Sequence, residues 1–318
     1  MHARARPPAA LLYGALIAHT LISAGTYLFA KRALIEIPAL PLGLLRFTGA
    51  SILLGLLLLR LRPPGQRLPP PHARRKVLLL ALACVPLNQG FFLYGLQLST
   101  AAHAALLYTL TPLFVLLLAQ ALLGEFPGWR TALGTALALG GTVFVLLQRG
   151  LDFSRGPLFG DLLLLVAVVA WAVYTAEGRE IVGRFGALPT IAWTIIAGTL
   201  LYLPLGIGSL LVPAHRAEIA HAGAAAWWGV TYLILMTSVA AYLLWYWALK
   251  HLAAVRVAVF SNLQPLATAL LAHLFLDEQV TLAFLGGALV VIAGVLLAQW
   301  KSAPDAAQEA LLEAPAKS

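Results

Sequence analysis

Apolar residues run along this chain in ten long blocks, at 11–30, 40–60, 77–97, 103–123, 129–148, 158–178, 188–210, 226–247, 252–275 and 281–300. About 20 mostly apolar residues in helical conformation are enough to cross the hydrocarbon core of a bilayer. The connections are mostly short and hold turn formers such as Pro63-Pro64-Gly65 and Pro69-Pro70-Pro71. The blocks lack the alternating ~10-residue pattern of outer-membrane barrel strands. Helices are the only other structure that satisfies its own backbone in lipid. The pattern predicts an all-α polytopic membrane protein with ten transmembrane helices.

The few polar positions inside these blocks are ordered. His19, Ser23, Tyr27 and Lys31 recur every fourth residue and share one face of the first helix. Trp171, Tyr174 and Glu177 form a similar stripe on the sixth, with Arg179 close by. Asn88 and Gln89 follow Pro86 in the third block, and Ser238, Tyr242 and Trp245 share a face of the eighth. Tyr108 and Thr111 belong to the fourth, and Asn262, Gln264 and His273 to the ninth. Polar groups at membrane depth are expensive, and each calls for a reason. Two readings stand side by side. These residues line a shared central cavity that binds a solute, or they are helix–helix hydrogen bonds worth about 0.6 kcal/mol each.

Pro112 and Pro265 fall well inside their blocks. Each removes a backbone donor, which predicts a kink, either a gate or a static bend. Glu125 and Glu278 stand at helix junctions just before the fifth and tenth blocks, where a carboxylate either meets the positive end of the next helix or serves gating or proton coupling. Glu177 lies deeper and is the better candidate for proton coupling, unless Arg179 or a neighbouring helix neutralises it. Arg46, in the second block, either snorkels to the interface on its long stem, forms a structural ion pair, or binds an anionic group of a solute.

A gap-free shift of 153 residues lays Pro112 on Pro265, Glu125 on Glu278, Gly134 on Gly287 and Gly141 on Gly294. A shift of 148 lays Pro41 on Pro189 and overlaps the stripes of the first and sixth blocks. The chain therefore divides into repeats at 1–150 and 151–300, each with five spans, followed by a polar tail at 301–318. An odd number of spans per repeat forces opposite insertion of the two halves. Such inverted repeats are a recurring plan of secondary transporters, with the solute site between the halves.

Composition narrows the class further. Of 318 residues, 61% are hydrophobic and only 10% charged, where a soluble domain has about 45–50% and about 25%. Soluble globular proteins and disordered chains are both excluded. The net charge of +9 is spread over connections rather than massed on a polar domain, so no nucleic-acid partner is expected. With the N-terminus inside, 15 of the 21 Lys and Arg residues fall on the inner side and 5 on the outer, Arg46 being intramembrane. That bias predicts both termini in the cytoplasm. Arg4 and Arg6 precede an apolar run that is read as an uncleaved first span, because Lys31-Arg32 follow it without a cleavage site. A single cysteine, Cys84, excludes disulfide frameworks and Cys-based metal sites.

Several segments then carry a resemblance. Leu45-Arg46-Phe47, the run Tyr94 to Ala102, Leu110-Thr111-Pro112 with Glu125 and the Gly134/Gly141 pair, and the copy Leu263-Gln264-Pro265 with Glu278, Gly287 and Gly294 follow in order. Together they resemble the EamA family of the drug/metabolite transporter superfamily, over nearly the whole chain apart from the tails. The second half departs from a strict copy, since Thr194 stands where Arg46 has its counterpart. The resemblance implies export of amino acids or related small metabolites across a bacterial inner membrane, with no enzymatic step and no cofactor. It leaves the solute open.

Rival classes find little support. The one Gly-x-Ser, Gly49-Ala50-Ser51, lies inside the second apolar block rather than in a nucleophile loop, and Gly160-Asp161 has no Tyr-Asp partner. Neither a His-Glu-x-x-His metal motif nor a Walker A loop occurs. The expected partners are a small-molecule solute and the lipid bilayer, with the chain as a monomer or homodimer. A lipid-linked carrier or drug flippase of the same architecture is the alternative.

Overall fold

Proline placement starts several of the helices. Helix α1, Ala9–Leu34, follows Pro7-Pro8, and α2, Ala39–Leu61, follows Pro38. Helix α3, Pro71–Leu98, opens on a proline at its first position, where the missing N–H has no intrahelical partner to lose. The computed structural model describes residues 7–299 apart from 64, 66, 100–103, 105–106, 124–127, 149–154, 269–270 and 272–281. In chain order the remaining helices are α4, Thr111–Leu123, α5, Trp129–Gln148, α6, Arg155–Phe185, and α7, Ala187–Leu210. After them come a short surface helix α8, Pro213–His221, then α9, Ala224–Leu249, α10, Ala254–Ala258, and α11, Leu282–Gln299.

Among the described residues every regular element is helical. Six helices, α1, α2, α3, α6, α7 and α9, are long and apolar enough to cross a membrane. The other four expected spans correspond to α5, to the apolar α11, and to the stretches around α4 and α10, parts of which lie outside the described residues. Polarity is inverted relative to a soluble protein. Ile52, Leu56 and Leu59 form a stripe on α2 that is half or more exposed, whereas Arg46, Asn88 and Ser238 are fully buried. A stripe of large apolar side chains facing outward is what a lipid solvent selects.

The packing is pairwise. Helix α2 lies along α7, α3 along α6, α1 along α9, and α5 along α11. The turn from α6 into α7 passes through Gly186, whose φ of 85° is left-handed and free of a Cβ penalty. The α5–α11 pair approaches backbone to backbone. A Cβ at Gly134 would stand 2.5 Å from the Gly294 carbonyl oxygen and the Ala298 nitrogen, and one at Gly141 would stand 3.1 Å from the Gly287 oxygen. These glycines let two helices of one chain touch.

Two local departures from α-geometry set up the interior. Residues Ala83–Gly90 of α3 and Leu233–Ala241 of α9 are wound as π-helix, a form that is rare and concentrates at functional sites. Pro86 lies inside the first segment and withholds an N–H from the α-pattern; no residue in the second accounts for it. The two prolines expected to kink helix interiors do something else. Pro112 is the second residue of α4, after a turn at Thr109-Leu110, and Pro265 resumes the helix after the 3-10 segment Val259–Leu263. Each stands in a first turn, where the lost donor costs little, and the break lies just before it.

Candidate functional site

The π segments of α3 and α9 face α1 across a small interior cavity. Its volume is about 60 Å³. That is room for a few waters, well short of a metabolite.

Helix α1 supplies His19, Ser23, Thr26 and Tyr27 to the wall. The His19 Nδ1 lies 3.0 Å from the Ala241 carbonyl oxygen. A carbonyl only accepts, so Nδ1 carries hydrogen, and Nε2 of the neutral ring accepts from the Ser23 hydroxyl at 3.2 Å. The imidazole packs on Trp245 with ring centroids 4.6 Å apart. Thr26 and Thr237 join α1 to α9 through their hydroxyls at 2.8 Å. On the opposite side the Tyr27 hydroxyl donates to Gln264 Oε1 at 3.3 Å, and Tyr27, Phe92 and Tyr108 meet edge to face. Trp171 and Tyr242 close the wall with centroids 5.3 Å apart.

Behind this wall runs a polar chain. Arg46 is fully buried; its Nε donates to Ser238 Oγ at 2.7 Å and its Nη1 to Gln89 Oε1 at 2.7 Å. The Gln89 amide donates to Asn88 Oδ1. The Asn88 amide in turn donates to the Tyr108 hydroxyl oxygen at 2.8 Å and to the Ala167 carbonyl at 2.7 Å. Four helices are tied together here, and the first and last links are Arg46 and a cavity-lining phenol.

The EamA-like transporter family model matches this chain twice, at residues 10–147 and 158–300. The chain belongs to that family. An Archaeoglobus fulgidus protein described as an uncharacterized transporter is 32% identical over 281 residues, covering 87% of this chain and 93% of its own length. A Streptantibioticus cattleyicolor protein described as a probable terminal-alkyne amino-acid exporter is 30% identical over 257 residues, covering 80% of this chain and 82% of its own. A solved structure at 22% identity superposes with a TM-score of 0.72 over 90% of this chain and 96% of its own, a likeness of fold.

In this EamA chain the cavity gathers His19, Ser23, Tyr27, Gln89, Tyr108, Trp171, Tyr242 and Gln264 from the sequence candidates. Others stand one layer back. Asn88 and Trp245 support the wall, and Tyr174 packs on Trp171 and shares a hydrogen bond of 3.1 Å with Thr194. Asn262 is buried beside Gln264 and outside the lining. Three candidates stand outside the lining. The Lys31 ammonium donates to the Leu96 and Ser99 carbonyl oxygens, each at 2.8 Å, and so closes the C-terminal end of α3. Glu177 forms an ion pair with Lys76 at 2.7 Å rather than standing free at depth. Arg46 does not snorkel and has no carboxylate partner among the described residues; its hydrogen bonds to two interior side chains hold it inside. Glu125 and Glu278 lie outside the described residues.

Sequence reasoning missed Thr26, Phe92 and Thr237 in the wall. Thr26 shares the face of the stripe at three residues from Ser23 rather than four, and Thr237 stands five residues before Tyr242, a spacing that only π winding brings onto one face. A second, open cleft of about 520 Å³ lies at one end of the bundle, with Arg62, Arg184 and Lys250 in its wall.

Proposed function

We propose that the protein is a secondary transporter that exports a small metabolite, an amino acid or a related solute, across a bacterial inner membrane. It works by alternating access between two inverted five-helix repeats, ten spans in all, with both termini in the cytoplasm. The observation that carries this reading is a buried polar and aromatic cavity whose wall draws on α1, α3 and Tyr108 from one half and on α6, α9 and Gln264 from the other. A solute site between halves is what repeat-built carriers use.

The α5–α11 contact supports the symmetry. Gly134 meets Gly294 and Gly141 meets Gly287, and the 153-residue shift exchanges one pair for the other, as a two-fold axis between the helices requires. The amino-acid exporter name of the Streptantibioticus relative supports the solute class. A cavity of about 60 Å³ fits a closed conformation that widens when either side opens. The basic wall of the open cleft, at Arg62, Arg184 and Lys250, suits the cytoplasmic face.

The test is counterflow in proteoliposomes, with a panel of radiolabelled amino acids, organic acids, amines and nucleosides. Uptake against an internal pool of the same unlabelled solute, absent from empty vesicles, is the expected result. No exchange of any panel member would overturn the carrier reading.

A further inference from the structure

Among the described residues the interior holds a cation without an anion. Arg46 is fully buried, and its guanidinium keeps its charge at any physiological pH. Two of its nitrogens bond to neutral groups, Ser238 Oγ and Gln89 Oε1, while Nη2 has no partner. None of the ion pairs of the described residues involves it. Neutral oxygens orient a buried charge without cancelling it, and buried charges are ordinarily paired.

The neighbouring groups are also left with hydrogens to give. The chain from Arg46 through Gln89 and Asn88 donates in one direction and ends on the Tyr108 oxygen, so the Tyr108 hydroxyl hydrogen is unspent. Links that all point one way polarise each other, which makes that last hydrogen a stronger donor. The Tyr242 hydroxyl and the Trp245 Nε1–H have no partner either. Tyr108 and Tyr242 both line the cavity. With idle phenol donors in the wall and a positive charge behind it, the site lacks one thing among the described residues, an anionic acceptor.

We propose that the transported solute carries a carboxylate, seated against Gln89, Tyr108 and Tyr242 and neutralised by Arg46. This deepens the carrier reading and rests on it. Alongside its other polar residues the wall holds three further aromatic rings, Trp171, Phe92 and Tyr27, which suit the organic body of a carboxylic acid better than an inorganic ion. When the cavity widens, the carboxylate takes the Nη2 hydrogen that the protein leaves idle.

The experiment uses the full chain in proteoliposomes and compares solutes before it compares variants. The panel holds radiolabelled amino acids, hydroxy acids and dicarboxylates, with amines and nucleosides as members that lack a carboxylate. For each acid that exchanges, the unlabelled carboxamide and decarboxylated analogue are added as competitors, and for amino acids the N-acetyl derivative as well. The N-acetyl form, which keeps the carboxylate, is expected to compete, and the carboxamide and decarboxylated forms to be about 10- to 100-fold weaker, as loss of a charged hydrogen bond implies. Arg46→Gln is expected to level these differences. Gln89→Glu supplies Arg46 with an internal carboxylate, and is expected to raise the melting temperature while abolishing exchange of the acid. The Gln89 variant covers the case in which Arg46→Gln does not fold. Equal competition by acid and carboxamide on the unmodified chain would overturn the inference and leave the carrier standing. Exchange of neutral panel members by a protein silent toward every acid would do the same. Silence toward all solutes sinks both.

Discussion

Ser51 of α2 and Thr199 of α7 stand 148 residues apart and share a hydrogen bond of 2.8 Å between their hydroxyl oxygens. The same interval overlaps the polar stripes of α1 and α6. Residues that are equivalent under a two-fold operation touch only when they lie on its axis, so this contact marks where the proposed axis crosses α2 and α7. Thr199 also donates to the Phe47 carbonyl at 3.3 Å, which seats the contact beside Arg46.

The first prediction concerns that contact. In a Cys84→Ala background, Ser51→Cys combined with Thr199→Cys places two sulfurs where the hydroxyls now meet. Mild oxidation is expected to close a disulfide within the chain. Mass spectrometry after thiol alkylation should find neither cysteine modified until a reductant is added. Two alkylated thiols in the oxidised sample would show that α2 and α7 do not meet there.

Glycines of α5 give a matched pair of substitutions. Gly134→Ala drives a Cβ to 2.5 Å from backbone atoms of α11, an overpacking that costs about 1–3 kcal/mol. Gly140→Ala meets nothing within 4 Å, and its greater helix propensity is expected to stabilise by up to about 1 kcal/mol. Tryptophan fluorescence during heating in detergent measures both. Opposite shifts of the melting temperature are expected, and equal shifts would mean that α5 and α11 are not packed on each other.

Lys31 separates capping from solute binding. Lys31→Ala leaves the Leu96 and Ser99 carbonyls without their charged donor, at a cost of about 1–2 kcal/mol. The expected signature is a lower melting temperature with an unchanged KM for the transported solute, and partial recovery in Lys31→Arg. A raised KM at normal stability would return Lys31 to the cavity.

Glu36 provides the pH dependence. It sits in the α1–α2 connection, where the Gly223 N–H at the start of α9 and the Arg32 side chain hold its carboxyl below the ordinary 4.5. A depressed carboxyl stabilises the fold above its unfolded-state value, and that contribution fades as pH falls through the folded value. The unmodified chain is therefore expected to melt above Glu36→Gln at pH 7. The gap should shrink steadily on acidification below about 4.5 and close once both forms are neutral. A gap that persists at low pH would assign the effect to shape rather than charge.

The amino-acid order alone determined the solvent of this protein and most of its helices, because blocks of about 20 apolar residues leave the backbone no other way to be satisfied in lipid. It also determined which face of α1 turns inward: three of the four residues in the stripe from His19 to Lys31 line the cavity, since i, i+4 spacing is a local property of the helix. What only the tertiary structure decided depends on partners far along the chain. Lys31 leaves the cavity because the end of α3, more than 60 residues on, offers it two carbonyls. Glu177 is neutralised from α3 by Lys76, 101 residues earlier. Arg46 is drawn inside by Ser238 and Gln89, where its own helix would equally allow it to reach the interface. The π winding that turns Asn88, Gln89 and Ser238 toward the interior has one local mark, Pro86, and none in α9. Periodicity tells which side of a helix is polar; only packing tells what that side meets.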